Sequence, residues 1–207
     1  MRTTTARALG CIFGALVASP AWAIPVAPGA SALSSAEPDP VGGALLFSTG
    51  PLPYASGAFS GTLISSVIAG DGSNPLGGLT FIYDLVNSPA SIDSVGRLTV
   101  TGYTGWLTDM SFQTPPIGLP PTTMDRSLNS NVVGFSFVAP PLGAGALPPG
   151  MPSAKLVVQT NAPAFVPSLA NVIDGTVAQV PSLAPVPEPA SMLLLAAGLL
   201  VGVRRWR

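Results

Sequence analysis

Apolar and polar residues alternate in short runs through the middle of the chain. In Leu79-Thr80-Phe81-Ile82-Tyr83-Asp84-Leu85, every second residue from Leu79 to Leu85 is a large hydrophobe. Successive side chains of a β-strand point to opposite faces, so Leu79, Phe81, Tyr83 and Leu85 share one buried side. Arg97-Leu98-Thr99-Val100-Thr101 repeats the pattern, with Leu98 and Val100 inward and Arg97, Thr99 and Thr101 outward. Strand-length runs rich in β-branched and aromatic residues predict strands over 59–68, 79–86, 95–103, 106–112, 132–138, 156–160 and 172–180. Turn chemistry separates them: Asp71-Gly72-Ser73-Asn74-Pro75 and Gly77-Gly78 lead into the second run, and Asn87-Ser88-Pro89 leaves it. No stretch of the middle shows a capped helical period.

Proline limits where these strands lie. The connections 114–121 and 139–152 are proline-rich, and proline donates no ladder hydrogen bond, so both read as loops or edge crossings. The expected fold is all-β: an antiparallel β-sandwich of about seven to eight strands, with a partly open barrel as the alternative. Residues 24–57, rich in Pro, Ala, Gly and Ser, read as a lead-in, 58–180 as the sandwich domain, and 181–189 as a proline-rich spacer.

The ends differ from this middle. Arg2 and Arg7 precede an uncharged run over 8–18, and Ala21 and Ala23 supply the small residues of a signal-peptidase site. Residues 1–23 therefore read as a secretory signal helix, with Ile24 as the first mature residue, delivered by the secretion machinery and cut by signal peptidase. At the other end Val186-Pro187-Glu188-Pro189 precedes an uncharged run over 190–203, and Arg204-Arg205-Trp206-Arg207 closes the chain. A helix over 190–203 would be about 21 Å long against a hydrocarbon core of about 30 Å, so it is a marginal transmembrane anchor. Arginines retained on the cytoplasmic side place the preceding domain outside. Each proline of Pro187-Glu188-Pro189 fixes its own φ and keeps the residue before it out of the helix, which holds the motif extended.

In these residues the sequence resembles the PEP-CTERM family of bacterial sorting signals, over about the last 22 residues. The resemblance implies that Pro187, Glu188 and Pro189 are the recognition motif for an exosortase in the membrane. Arg204, Arg205 and Arg207 are then the stop signal. It also implies an exported protein, held transiently in the inner membrane by its C-terminal helix and then moved to the cell surface or extracellular matrix of an exopolysaccharide-producing bacterium. A permanent anchor behind a proline-rich spacer is the other reading of the same residues.

Charge and residue types narrow the chemistry. The chain has 24 prolines and 23 glycines, only 8% charged residues and no histidine. Between the two ends stand Arg97, Arg126 and Lys155 against Glu37, Asp39, Asp71, Asp84, Asp93, Asp109, Asp125 and Asp174, a net charge of −5. Nucleic acid is excluded as a partner for want of clustered cations. The single Cys11 lies in the leader, so the mature part has neither a disulfide nor a Cys- or His-based catalyst. No cofactor and no metal are expected.

Four candidate sites still merit a test. Asp84, Asp93, Asp109 and Asp125 supply carboxylates for a glycan hydrolase, though their spacing singles out no pair. Lys155 would be the base of a Ser-Lys arrangement, and Asp71-Gly72-Ser73-Asn74 gathers oxygen ligands without the alternating acids of a calcium loop. Tyr83, Tyr103 and Trp106 would form an aromatic platform for sugar rings. The expectation is a non-enzymatic, exported protein, structural in an exopolysaccharide or biofilm matrix; a carbohydrate-binding module, or a carboxylate-dependent glycan hydrolase, is the alternative.

Overall fold

The strand with the cleanest alternation lies inside one of two sheets that share a single core. The computed structural model describes residues 25–138 and 145–186, and these form strands and no helix. One sheet has seven strands. β2 (Ala36–Glu37), β8 (Thr108–Gln113), β11 (Leu156–Thr160), β6 (Thr80–Asn87) and β5 (Ser60–Ala69) run across it, and β3 (Ala44–Ser48) and β4 (Leu52–Ala55) both lie along the outer edge of β5. The other has six strands, in the order β1 (Ser31–Leu33), β9 (Thr123–Arg126), β10 (Val132–Ser136), β7 (Arg97–Thr101), β12 (Phe165–Asp174) and β13 (Thr176–Pro185). All pairings are antiparallel except β2 with β8.

Alternation places the core. Phe81, Tyr83 and Leu85 from β6, with Leu63 and Val67 from β5, belong to one buried cluster with Leu98, Val100, Val133, Phe135 and Val172 of the other sheet. Each such side chain contributes about 1.5–3 kcal/mol by leaving water. The inward and outward assignment for Arg97–Thr101 holds for four of its five residues; Thr99 is also buried, since β7 is flanked by β10 and β12. Arg97 pairs with Asp125 across β10, its Nη1 2.5 Å from Oδ1 and its Nη2 2.7 Å from Oδ2.

Three expectations need correction. The run 172–180 is not one strand: the chain reverses at Gly175, where φ is +62°, and two ten-residue strands pair along their whole length. Apolar residues on both sides of the Asp174-Gly175 turn disguise the reversal.

The spacer assigned to 181–189 is likewise strand as far as Pro185. β13 is an edge strand, where a proline costs no ladder bond, and Pro167 of β12 lies beyond the reach of β7.

Sheet structure also begins before residue 58. β1 to β4 belong to the two sheets, and Val26 and Tyr54 are buried in the core. These strands have two to five residues, too few for alternation to show.

Candidate functional site

Where the chain leaves the fold is set by the last strand. β13 is bound from two sides near its end. Ser182 Oγ lies 2.9 Å from Ser65 Oγ of the facing sheet, and Tyr83 Oη donates to the Leu183 carbonyl at 2.8 Å. One residue past the strand, the Val186 N–H donates to the Ala164 carbonyl at 3.1 Å. The Val186 carbonyl in turn accepts the indole N–H of Trp106 at 2.7 Å.

Trp106 is itself held in place. It closes a turn after Tyr103 in which Gly105 has φ +85°, a conformation open to glycine at little cost. The buried guanidinium of Arg126 locks that turn, with Nη2 donating to the carbonyls of Tyr103 at 3.0 Å and Trp106 at 2.5 Å. Phe165, paired with Pro185, stacks at a tilt against Phe47 with ring centroids 6.1 Å apart. The residue that follows Val186 is Pro187, the first of the Pro187-Glu188-Pro189 run. The main chain is therefore fixed up to the residue before that run. Trp106→Phe keeps an aromatic ring but removes the indole N–H and some ring volume, so it is expected to lower stability by at least about 1 kcal/mol, read as a lower denaturant midpoint.

The other sequence candidates fare differently. Pro187, Glu188, Pro189, Arg204, Arg205, Arg207, Ala21 and Ala23 lie outside the described residues, as do the signal and transmembrane helices. Tyr83 and Tyr103 are fully buried, and their hydroxyls meet at 2.5 Å in the core. They form no platform for a sugar; the alternation that buries Phe81 carries Tyr83 with it. Burial holds both phenols above their ordinary range. Trp106 is half-buried, and its polar edge serves Val186.

The carboxylates do not converge as a hydrolytic pair. Asp125 is taken by Arg97 on the six-stranded sheet, and Asp93 lies in the connection between β6 and β7, where it accepts the Ser94 N–H. Asp84 and Asp109 share the outer face of the other sheet, but they are offset by the intervening strand β11 and by four residues along it. That offset amounts to roughly 16 Å, well past the ~5–9.5 Å separations of glycosidases. Lys155 is exposed and near Asp84, whose carboxyl burial raises and the lysine lowers, with the net shift upward.

Asp71 is buried, and both of its oxygens are occupied. Oδ1 accepts the N–H groups of Val41 and Ser73 and the Ser73 hydroxyl; Oδ2 accepts Thr80 Oγ1 and Gln159 Nε2. Burial pushes this carboxyl up, but the bonds from Ser73, Thr80 and Val41 outweigh it and hold it below the ordinary range. The Asp71–Asn74 loop is thus a self-satisfied turn, not a calcium loop.

Sequence reasoning missed the clamp on Val186. Trp106 and Val186 are 80 residues apart, and no local pattern marks the contact.

Comparison with known proteins bears on the chain end. The sequence matches the family model described as the PEP-CTERM protein-sorting motif over residues 185–207. No curated protein and no solved structure matches the chain. The chain therefore carries a PEP-CTERM sorting motif whose matched region starts on the last residue of β13. Such a motif marks an exported protein that is transiently membrane-anchored and processed by an exosortase.

Proposed function

We propose that the protein is a non-enzymatic β-sandwich delivered to the cell surface or the extracellular matrix, where it serves as a structural component of an exopolysaccharide-rich layer. The observation that carries this reading is the junction between fold and signal: the sorting motif follows Val186 directly, and Val186 is bonded to the domain through both its N–H and its carbonyl. An exosortase that takes the motif meets a complete, folded cargo. In this reading signal peptidase cuts after Ala23, residues 190–203 span the inner membrane, and the arginines at the end keep the tail inside until cleavage releases the domain. The buried tyrosines and the dispersed carboxylates speak for display over sugar binding or hydrolysis.

Mass spectrometry of protein recovered from outside the producing cell tests the reading at both ends. The expected species begins at Ile24 and lacks Arg204–Arg207. Glu188→Ala is expected to hold most of the protein in the membrane with its tail attached. Intact Arg207 on the surface form would overturn the proposal.

A further inference from the structure

A buried polar cluster lies on the outer face of the seven-stranded sheet. Asp109 on β8 and Gln159 on β11 stand directly opposite each other, and Gln159 also faces Thr80 of β6. Met110 and Val158, the alternate residues, enter the core, so Asp109, Ser111 and Gln159 point away from it. They are nonetheless closed off, with Asp109 and Gln159 each 1% exposed. Two segments contribute to the cover. Asp39, 4% exposed, accepts the Ser111 hydroxyl at 3.3 Å, and Val41 is bonded to the Asp71–Asn74 turn.

The hydrogen bonds in this cluster run out on one side. Gln159 Nε2 donates to Asp71 Oδ2 at 3.0 Å and to Ser73 Oγ at 3.2 Å, which turns the amide nitrogen toward β6. The amide oxygen is left toward β8. Gln159 Oε1 and both carboxylate oxygens of Asp109 have no hydrogen-bond partner. Buried acceptors in native proteins are nearly all satisfied, so three on facing residues ask for a donor or a cation. Asp39 and Glu37 add negative charge close by.

No cation of the described chain answers them. Arg97 is paired with Asp125, Arg126 is bonded to the carbonyls around Trp106, and Lys155 faces Asp84. Among the described residues no three acidic side chains stand close enough to hold an ion by themselves. The set needs the amide oxygen as a ligand.

We infer that Asp109, Gln159 and Asp39 bind a calcium ion over β8 and β11, with both oxygens of Asp109 and Oε1 of Gln159 as its inner ligands. Every donor is oxygen, which selects a hard cation. The irregular placement of these oxygens favours calcium, which accepts flexible geometry, over magnesium, which demands a near-ideal octahedron. The ion would tie the segment before β3 to the sheet through Asp39, although the Asp71–Asn74 turn itself ligates nothing.

The test uses the full chain, purified in detergent and stripped with chelator, with calcium chloride and magnesium chloride as probes. Calorimetric titration is expected to show one calcium per chain. Calcium at a hundredfold excess over its Kd is expected to raise the unfolding midpoint by about 5 °C or more. Asp109→Asn and Asp39→Asn should each remove most of that rise. Absence of calcium binding at millimolar concentration overturns the inference on the unaltered chain, whether or not the variants fold. An undiminished rise in a folded Asp109→Asn chain overturns it too, and an equal rise with magnesium overturns the assignment to calcium.

Discussion

Ending the chain at Val186 is expected to leave the thermal midpoint of the domain within about 2 °C of the full chain, whereas ending it at Val180 should leave no cooperative transition. The first cut keeps every described strand and the Val186 carbonyl that Trp106 holds. The second removes half of β13, from Pro181, along which it pairs with β12. It strips Leu183 and Ala184 from the core and frees the hydroxyl of Tyr83 from its carbonyl partner. A buried Leu reduced to Ala costs about 2–5 kcal/mol. Six residues lost with their ladder bonds therefore approach the ~5–15 kcal/mol that holds a typical domain together. Circular-dichroism melts of the two truncated chains decide the matter. Equal stability in both would mean that the end of β13 is a tail laid on the surface.

Tyr103→Ala is the second large effect, expected to destabilise the fold by about 3–5 kcal/mol in denaturant titration. The ring packs edge-on to Phe81 with centroids 5.9 Å apart and interplanar angle 74°, and its hydroxyl meets that of Tyr83. Truncation empties that volume and unpairs one side of a buried phenol. Tyr103→Phe keeps the ring and should cost about 1 kcal/mol. A surface platform for sugars would behave in the opposite way, losing ligand while stability stayed put.

How much of this was legible depended on strand length and register. β6 and β7 announced their inward faces because four and two large hydrophobes recur at period two, and six of the seven predicted runs coincide with single strands. β1 to β4 were illegible: two to five residues, partly exposed, carry no periodicity to read. The β12–β13 hairpin was half seen, since its centre is β-branched but its outer halves contain Pro167, Pro181 and Pro185. Those prolines argue for a coil until the edge position of β13 is known.

The C-terminal sorting motif was readable because it is a linear pattern that an enzyme meets apart from the fold. The polar cluster was not, because Asp39, Asp109 and Gln159 come from distant stretches. Only the register of β8 against β11 sets Asp109 beside Gln159.

Four peptide steps separate Val186 from Ala190, where the apolar stretch begins, and a fully drawn-out backbone covers about 14 Å in that distance. While still attached, the protein is on a leash shorter than its own hairpin, since ten paired residues reach about 33 Å. In the proposed reading, with residues 190–203 across the inner membrane, the Trp106 corner would ride against the lipid headgroups. Its freedom would then be to swivel rather than to roam, and the enzyme that releases it would have to work in the narrow gap beneath it.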